Sequence, residues 1–217
     1  MNPVQLVLFD MDGVLADTEP SHLEATQRLL AEEGHALTVE ENHEFLGNTD
    51  LAYFTALKER FGLRDPVERY VARKTVEVIS ILRGRLVPNP GVCELLLDLR
   101  MRSVDACVAS SSVPQLIDAV VDSLGLRSSF VGLFSASMVA RGKPAPDLFL
   151  HAAESRRVDP AHCLVIEDAP NGIAAARAAG MRVVAVRTPT TEGLDLSAAD
   201  VVLDSLTDFD SEILHAD

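Results

Sequence analysis

Positive charge is scarce in this chain. Its 217 residues hold 19 Lys and Arg against 33 Asp and Glu, a formal net charge of −14, and the isoelectric point lies near 4.8. That balance argues against a nucleic-acid or anionic-membrane partner and fits a soluble protein. Cysteine is scarce too. Cys93, Cys107 and Cys163 form no CxxC pair and all fall in apolar segments, so the expectation is reduced core thiols in a cytoplasmic protein. No signal-peptide pattern opens the chain: a basic region is missing, and acids interrupt the first apolar run. No apolar run is long enough to span a bilayer, and no internal repeat or low-complexity tract is visible. Apolar content is plentiful, at 47%. It suffices for a sizeable core, at a length that fits one large domain or two small ones.

The stretch around which the rest is organised begins at Val4. Val4-Gln5-Leu6-Val7-Leu8 is an apolar run of strand length, followed by Asp10 and Asp12. Such runs read as strands buried on both faces, as in a parallel sheet. The carboxyl ends of strands in open parallel α/β sheets form the ligand crevice. Asp10 and Asp12 are therefore expected at a strand end, with Gly13 letting the chain turn away. Two such carboxylates repel unless a cation lies between them or one holds a proton. Oxygen ligands of this kind suit Mg²⁺, and a metal-bound Asp can attack phosphorus to form an aspartyl-phosphate. The plainer alternative is a strand end followed by an acidic turn.

From Glu19 to about Gly84 the pattern is helical throughout. Ser21 to Glu33 carries Leu23, Ala25, Leu29 and Leu30 and stops at Gly34. Thr38 and Glu41 form a capping box that opens a short helix through Phe45 and Leu46. Asn48 or Thr49 caps a helix bearing Leu51, Phe54, Leu57 and Phe61, ended by Gly62. Asp65-Pro66-Val67-Glu68 starts a fourth helix, with Pro in its first turn. Beyond Pro88-Asn89-Pro90-Gly91, strand-like runs at residues 104–109, 133–134, 163–166, 183–186 and 201–203 alternate with helical segments. Alternation of this kind means an α/β fold, a doubly wound parallel sheet covered on both faces. The expected organisation is a core of residues 1–15 and 88–217, with a helical cap of residues 16–87 inserted after the first strand. The two connecting segments are natural hinges, and cap closure would exclude water from the site.

Polar groups gather at strand ends or adjoining loops in four places. Asp10 and Asp12 are the first. Ser110, Ser111 and Ser112 precede a helix, where free N–H groups and hydroxyls bind phosphate well; alone, Ser110 reads as an N-cap serine. Lys143 lies between Gly142 and Pro144 in a rigid loop, where its ammonium can pair with a phosphate or an aspartate; alone, it reads as a solvated lysine. Glu167 and Asp168 are a second acidic pair, with helix capping as the alternative. Each is a modest signal. Their joint occurrence in this order is a strong one.

With these residues on the page, the chain resembles the phosphohydrolases of the haloacid dehalogenase superfamily, in the subgroup that includes β-phosphoglucomutase and phosphoglycolate phosphatase. FDMDGVLADT (9–18), VASSS (108–112), GKPAPDLFL (142–150) and VIEDAPNGIAAARAAGM (165–181) match its four motifs. The resemblance implies a doubly wound core, a mobile cap and Mg²⁺-dependent phosphoryl transfer. It makes Asp10 the nucleophile and Asp12 the general acid, then base. It gives Ser110, Ser111 and Lys143 to the phosphoryl oxygens. The metal falls to Asp10, the Asp12 carbonyl and Asp168, with Glu167 direct or through water. Asp12 argues against dehalogenation, because a departing halide needs no proton.

The resemblance also places substrate selection on the cap, where His22 and Lys74 match residues used by sugar-phosphate mutases. Two departures stand out. β-Phosphoglucomutase has an arginine on the distal phosphate where this chain has Asp50, and its Lys-Asn pair after the second motif is Val113-Pro114 here. Losing two cations removes charge-assisted bonds from a bisphosphate site. Cap lysines Lys58 and Lys74 offer no visible Schiff-base context. The expected function is a cytoplasmic, monomeric phosphatase of a small phosphorylated metabolite, a sugar phosphate by class. The alternatives are a β-phosphoglucomutase-like isomerase and a non-catalytic phosphometabolite-binding module.

Overall fold

A computed structural model describes residues 3–43 and 49–215. The expected helix end at Phe45 and Leu46, and the Gly47-Asn48 pair, lie outside the described residues. The chain divides into two compact units: Met1–Asp17 together with Leu86–Asp217, and Thr18–Arg85.

The first unit is a six-stranded α/β sheet. Strands β1 (Leu6–Phe9), β2 (Asp105–Ser110), β3 (Gly132–Ser135), β4 (Cys163–Glu167), β5 (Arg182–Val186) and β6 (Val201–Leu203) run in the order β3-β2-β1-β4-β5-β6. Every neighbouring pair is parallel. Parallel strands need crossovers. Helices α5 (Val92–Met101), α6 (Pro114–Ser123), α7 (Asp147–Arg156) and α8 (Pro170–Ala178) stand in the connections leading to β2, β3, β4 and β5. The chain fills one side of β1 first, then returns to fill the other. The carboxyl ends of β1 and β4 thus flank the switch point, the place where an open α/β sheet has its crevice.

Strand β1 has a partner on each edge, and Leu6, Val7, Leu8 and Phe9 are all fully buried. Alternation decides the faces. Leu6 and Leu8 join Cys163 and Val165 in one cluster with Leu148 and Phe149 of α7 and Ile173 of α8. Each large side chain buried there stabilises the fold by about 1.5–3 kcal/mol. Strand β1 begins later than its apolar run, because Val4 and Gln5 donate backbone bonds to Leu214 and His162 instead.

Cys107 and Cys163 are core thiols as expected, and burial pushes both up to about 12. Cys93 is not: it is exposed, one position off the buried stripe of Val92, Leu95, Leu96 and Leu99 on α5. Two passes of chain meet at Asn89. Its side-chain N–H groups donate to the carbonyls of Gly13 at 2.6 Å and Val14 at 3.1 Å. Its backbone N–H donates to the Leu15 carbonyl at 2.8 Å.

The second unit has helices α1 (Glu19–Ala31), α2 (Val39–His43), α3 (Asp50–Phe61) and α4 (Val67–Leu82). The capping box forms reciprocally: the Glu41 N–H donates to Thr38 Oγ1 at 3.2 Å and the Thr38 N–H to Glu41 Oε2 at 2.9 Å. Thr49 caps α3, accepting from the Ala52 N–H. Asp65 does not cap α4. Pro66 holds the cap position without a side-chain bond, and Asp65 Oδ1 accepts from Arg69 instead. Leu29 and Leu30, Phe54 and Leu57, and Tyr70 make the core of this unit. Along α4 the buried residues Tyr70, Lys74, Val78 and Ile81 follow helical spacing. A lysine therefore occupies a place in the apolar stripe. Among the described residues no helix is long and apolar enough to cross a membrane.

Candidate active site

Asp10 is the first residue past β1. Its N–H donates to the Ile166 carbonyl of β4 at 2.9 Å, which fixes it beside the switch point. The chain then folds back on itself. Gly13 donates to the Ala16 carbonyl and Leu15 to the Met11 carbonyl, each at 2.9 Å, and Asp12 bridges Ala16. Gly13 is needed twice over. Its φ is +83°, and a Cβ there would lie 2.1 Å from Asp168 Oδ2.

Glu167 ends β4, and both its oxygens are engaged. Oε1 accepts from Lys143 Nζ at 2.6 Å, while Oε2 accepts the N–H groups of Asp168 at 3.0 Å and Ala169 at 3.1 Å. The capping alternative does not hold, because Oε2 binds the turn before α8 and that helix has no side-chain cap, while Oε1 belongs to the lysine. A Cβ on Gly172 would lie 1.6 Å from Oε1, so this glycine of α8 makes room for the carboxylate. Lys143 Nζ also donates to Asp10 Oδ1 at 2.5 Å. Its side chain is 6% exposed, unlike a solvated surface lysine.

Ser110 closes β2 and is fully buried. It is no N-cap serine: α6 starts at Pro114, and Ser110 Oγ accepts from the Ser112 N–H at 3.0 Å. The hydroxyl that reaches the acids is that of Ser112, which donates to Asp12 Oδ2 at 3.0 Å. Ser135, at the end of β3, in turn donates to the Ser112 carbonyl at 2.7 Å. Ser111 is exposed and shares none of these bonds. Sequence reading also passed over Thr188, whose hydroxyl donates to Asp168 Oδ2 at 3.0 Å. The serine run marked the place but not which hydroxyl, and Thr188 lies past β5 outside every motif.

Ligand atoms of Asp10, Glu167 and Asp168 lie within 4.8 Å of one another, all buried. Burial pushes the Asp10 carboxyl well up; Lys143 opposes this, while Glu167, Asp12 and Asp168 add to it. Burial, then the Glu167 charge, lifts Asp168 to about 7. For Lys143 burial works against the ammonium, but Asp10 and Glu167 outweigh it and its pKa stands above the ordinary value. Asp10, Glu167 and Asp168 thus share the field of one ammonium, with Asp12 close enough to Asp10 to add to its shift. An all-oxygen, buried, strongly negative cluster fits a hard divalent cation such as Mg²⁺, which Asp10 and Asp168 would hold with Glu167 beside them.

The second unit holds His22 and Lys74. Lys74 Nζ donates to Asp50 Oδ1 at 2.5 Å, with a 6% exposed side chain, and lies 5.4 Å from the centre of the Tyr53 ring. It too is not a solvated lysine. His22 is half-buried on α1, its carbonyl accepting from Thr26. Lys58 Nζ donates to the carbonyls of Leu63 at 2.5 Å and Asp65 at 2.7 Å, which ties the loop after α3.

A family model for haloacid dehalogenase-like hydrolases matches residues 4–180. Over 211 residues the chain is 34% identical to the probable pseudouridine-5'-phosphatase of Drosophila melanogaster, covering 94% of this chain and 91% of the other. It is 30% identical to the β-phosphoglucomutase of Bacillus subtilis, covering 98% and 94%. The crystal structure of CbbY from Rhodobacter sphaeroides in complex with phosphate matches with a TM-score of 0.86 at 27% identity, covering 94% of this chain and 96% of the other.

Proposed function

Because this chain belongs to the haloacid dehalogenase-like hydrolases, we propose that it is a Mg²⁺-dependent phosphatase of a small organic phosphate monoester, a sugar phosphate by class. One observation carries the reading: Asp10 at the sheet's switch point shares Lys143 with Glu167, while Asp12 stands apart on Ser112. A nucleophile and a proton-handling acid need such separate surroundings.

In the proposed reaction an Asp10 oxygen attacks phosphorus as the P–O bond to the alcohol breaks. Asp12 gives its proton to the leaving oxygen. The resulting aspartyl-phosphate is then attacked by water, which loses a proton to Asp12; the Asp10–phosphorus bond breaks, releasing inorganic phosphate and restoring Asp10. Lys143 and Ser110 hold the phosphoryl oxygens. The Asp12 carbonyl would join Asp10 and Asp168 as metal ligand, with Glu167 reached through water, since both Glu167 oxygens already accept hydrogen bonds. Bound Mg²⁺ supplies positive charge that offsets the phosphate and keeps the carboxylates ionised. The helical unit would serve as the cap that selects substrate through His22 and Lys74.

The test is inorganic phosphate release from a panel of sugar phosphates, phosphoglycolate and nucleotides, with Mg²⁺ and with chelator. Asp10→Asn should lower turnover by at least about 10³-fold with the fold intact; an active Asn variant would remove Asp10 from the nucleophile's role. The 30% identity to a β-phosphoglucomutase supports a mutase as the second reading. The Asp50–Lys74 pair weighs against it, because a lysine already neutralised offers less to a second phosphate. Conversion of β-glucose 1-phosphate to glucose 6-phosphate without phosphate release would decide for the mutase.

A further inference from the structure

Asp168 is held differently from the acids beside it. Asp10 and Glu167 are each bonded to the Lys143 ammonium. Among the described residues no ion pair reaches Asp168, and the side chain that donates to it is Thr188, at 3.0 Å on Oδ2. The same oxygen lies against Gly13, so close that a Cβ there would stand 2.1 Å away. Oδ2 is thus bracketed by a hydroxyl on one element and a bare backbone on another. The χ2 torsion of an aspartate is broad and roughly two-fold, so without such a bracket its oxygens would sample many orientations.

We propose that Thr188 is a positioning residue for the metal site, its hydroxyl fixing the Asp168 carboxylate in the orientation that a Mg²⁺ ion requires. The proposal rests on the reading of Asp168 as a metal ligand. Thr188 is well placed for the task. Strands β4 and β5 pair with Glu167 opposite Ala185, so the segment leaving β5 passes beside the residue that follows β4. Thr188 is steadied in turn by Thr191, the two hydroxyl oxygens lying 2.8 Å apart. Thr188 also lines a cavity of about 300 Å³ together with Gly13, Asn89 and Ser205 among others. A methyl in place of the Thr188 hydroxyl would remove the side-chain donor on Asp168 Oδ2. Outer partners of metal ligands commonly matter at the level of about 10–100-fold in affinity.

The experiment is Mg²⁺ titration by isothermal calorimetry of the full chain, as wild type, Asp168→Asn, Thr188→Val and Thr188→Ser. Melting temperatures of the metal-free proteins and the Mg²⁺ dependence of phosphate release are taken in parallel. The expected result is binding by the wild type and none by Asp168→Asn. Thr188→Val should bind about 10–100-fold more weakly, with half-saturation in Mg²⁺ moving by the same factor. At saturating Mg²⁺ its turnover should stay within about three-fold of wild type. Thr188→Ser should restore affinity to within about three-fold, because it keeps the donor. Wild-type affinity in Thr188→Val, or equal weakening in the valine and serine variants, would overturn the proposal while the Asp168 control leaves the metal reading standing. Undiminished binding by Asp168→Asn, or none by the wild type, would instead sink the metal reading and this proposal with it. Should the valine variant not fold, Thr188→Ala carries the same arm.

Discussion

Each unit of this protein buries one lysine against an aspartate at 2.5 Å, and the two lysines have side chains equally exposed, at 6%. Lys143 and Lys74 nonetheless stand in opposite electrostatic settings. Lys143 meets Asp10 and Glu167, which come from the ends of two adjacent strands far apart in sequence, with Asp168 and Asp12 close by. Lys74 meets Asp50 from a neighbouring helix, and its remaining contact noted above is the face of Tyr53. The first setting has an excess of negative charge that a cation can complete. The second is already balanced. Burial and contact distance do not separate the two settings here; the ratio of counter-charges does. Topology sets that ratio, since parallel strands deliver acids to one edge in a way that a short helix hairpin does not.

Removing each ammonium is the sharpest way to break this comparison. Lys143→Met leaves Asp10 and Glu167 buried without their partner, which should cost about 3–5 kcal/mol in the metal-free protein and lower kcat by about 10²–10³. Lys74→Met leaves Asp50, whose side chain is 38% exposed and can regain water, so the loss should be about 1 kcal/mol or less. Urea melts of the two variants side by side read the difference; equal losses would show that counter-charge number does not matter. Glycines sharpen the contrast at a smaller scale. Gly13→Ala must displace Asp168 as well as strain a φ of +83°, so Mg²⁺ affinity should fall by about 10–100-fold. Gly62→Ala at φ +68° meets open space and should cost only the strain, about 1–2 kcal/mol, with activity retained. Smallest of all, Thr38→Ala removes one half of the capping box on α2. It should lower stability by about 1 kcal/mol without changing kcat/KM. A kinetic effect there would mean that the helical unit's local stability feeds the chemistry directly.

Much of the sheet was legible because its strands are short, continuous apolar runs, and a central parallel strand buried on both faces requires that composition. The acids Asp10, Glu167 and Asp168 were legible because each follows such a run. Lys143 was legible for its loop, though not for its burial. The strand order left no local trace, so the adjacency of β1 and β4 could be seen only in the structure. Ser112 and Thr188 hid for the same reason: a hydroxyl in a loop carries no periodicity, and only the fold reveals which carboxylate it reaches. Lys74 did leave a signal, its four-residue spacing from Tyr70 and Val78. A lysine in an apolar stripe is the pattern of a buried charge with a partner. Cys93 failed the other way, an apolar context read without its helical phase.

The seam at Asn89 carries a consequence for how such a chain can change over generations. Because Asn89 binds the carbonyls of Gly13, Val14 and Leu15, the sheet unit closes on itself at the point where the chain departs and comes back. The long excursion between is then, for that unit, a loop with its ends already joined, and lengthening such a loop costs little. One segment can be swapped, resized or rewritten while the surroundings of Asp10 stay as they are. A single asparagine thus makes the protein a socket, with the chemistry in the wall and the choice of fitting left open.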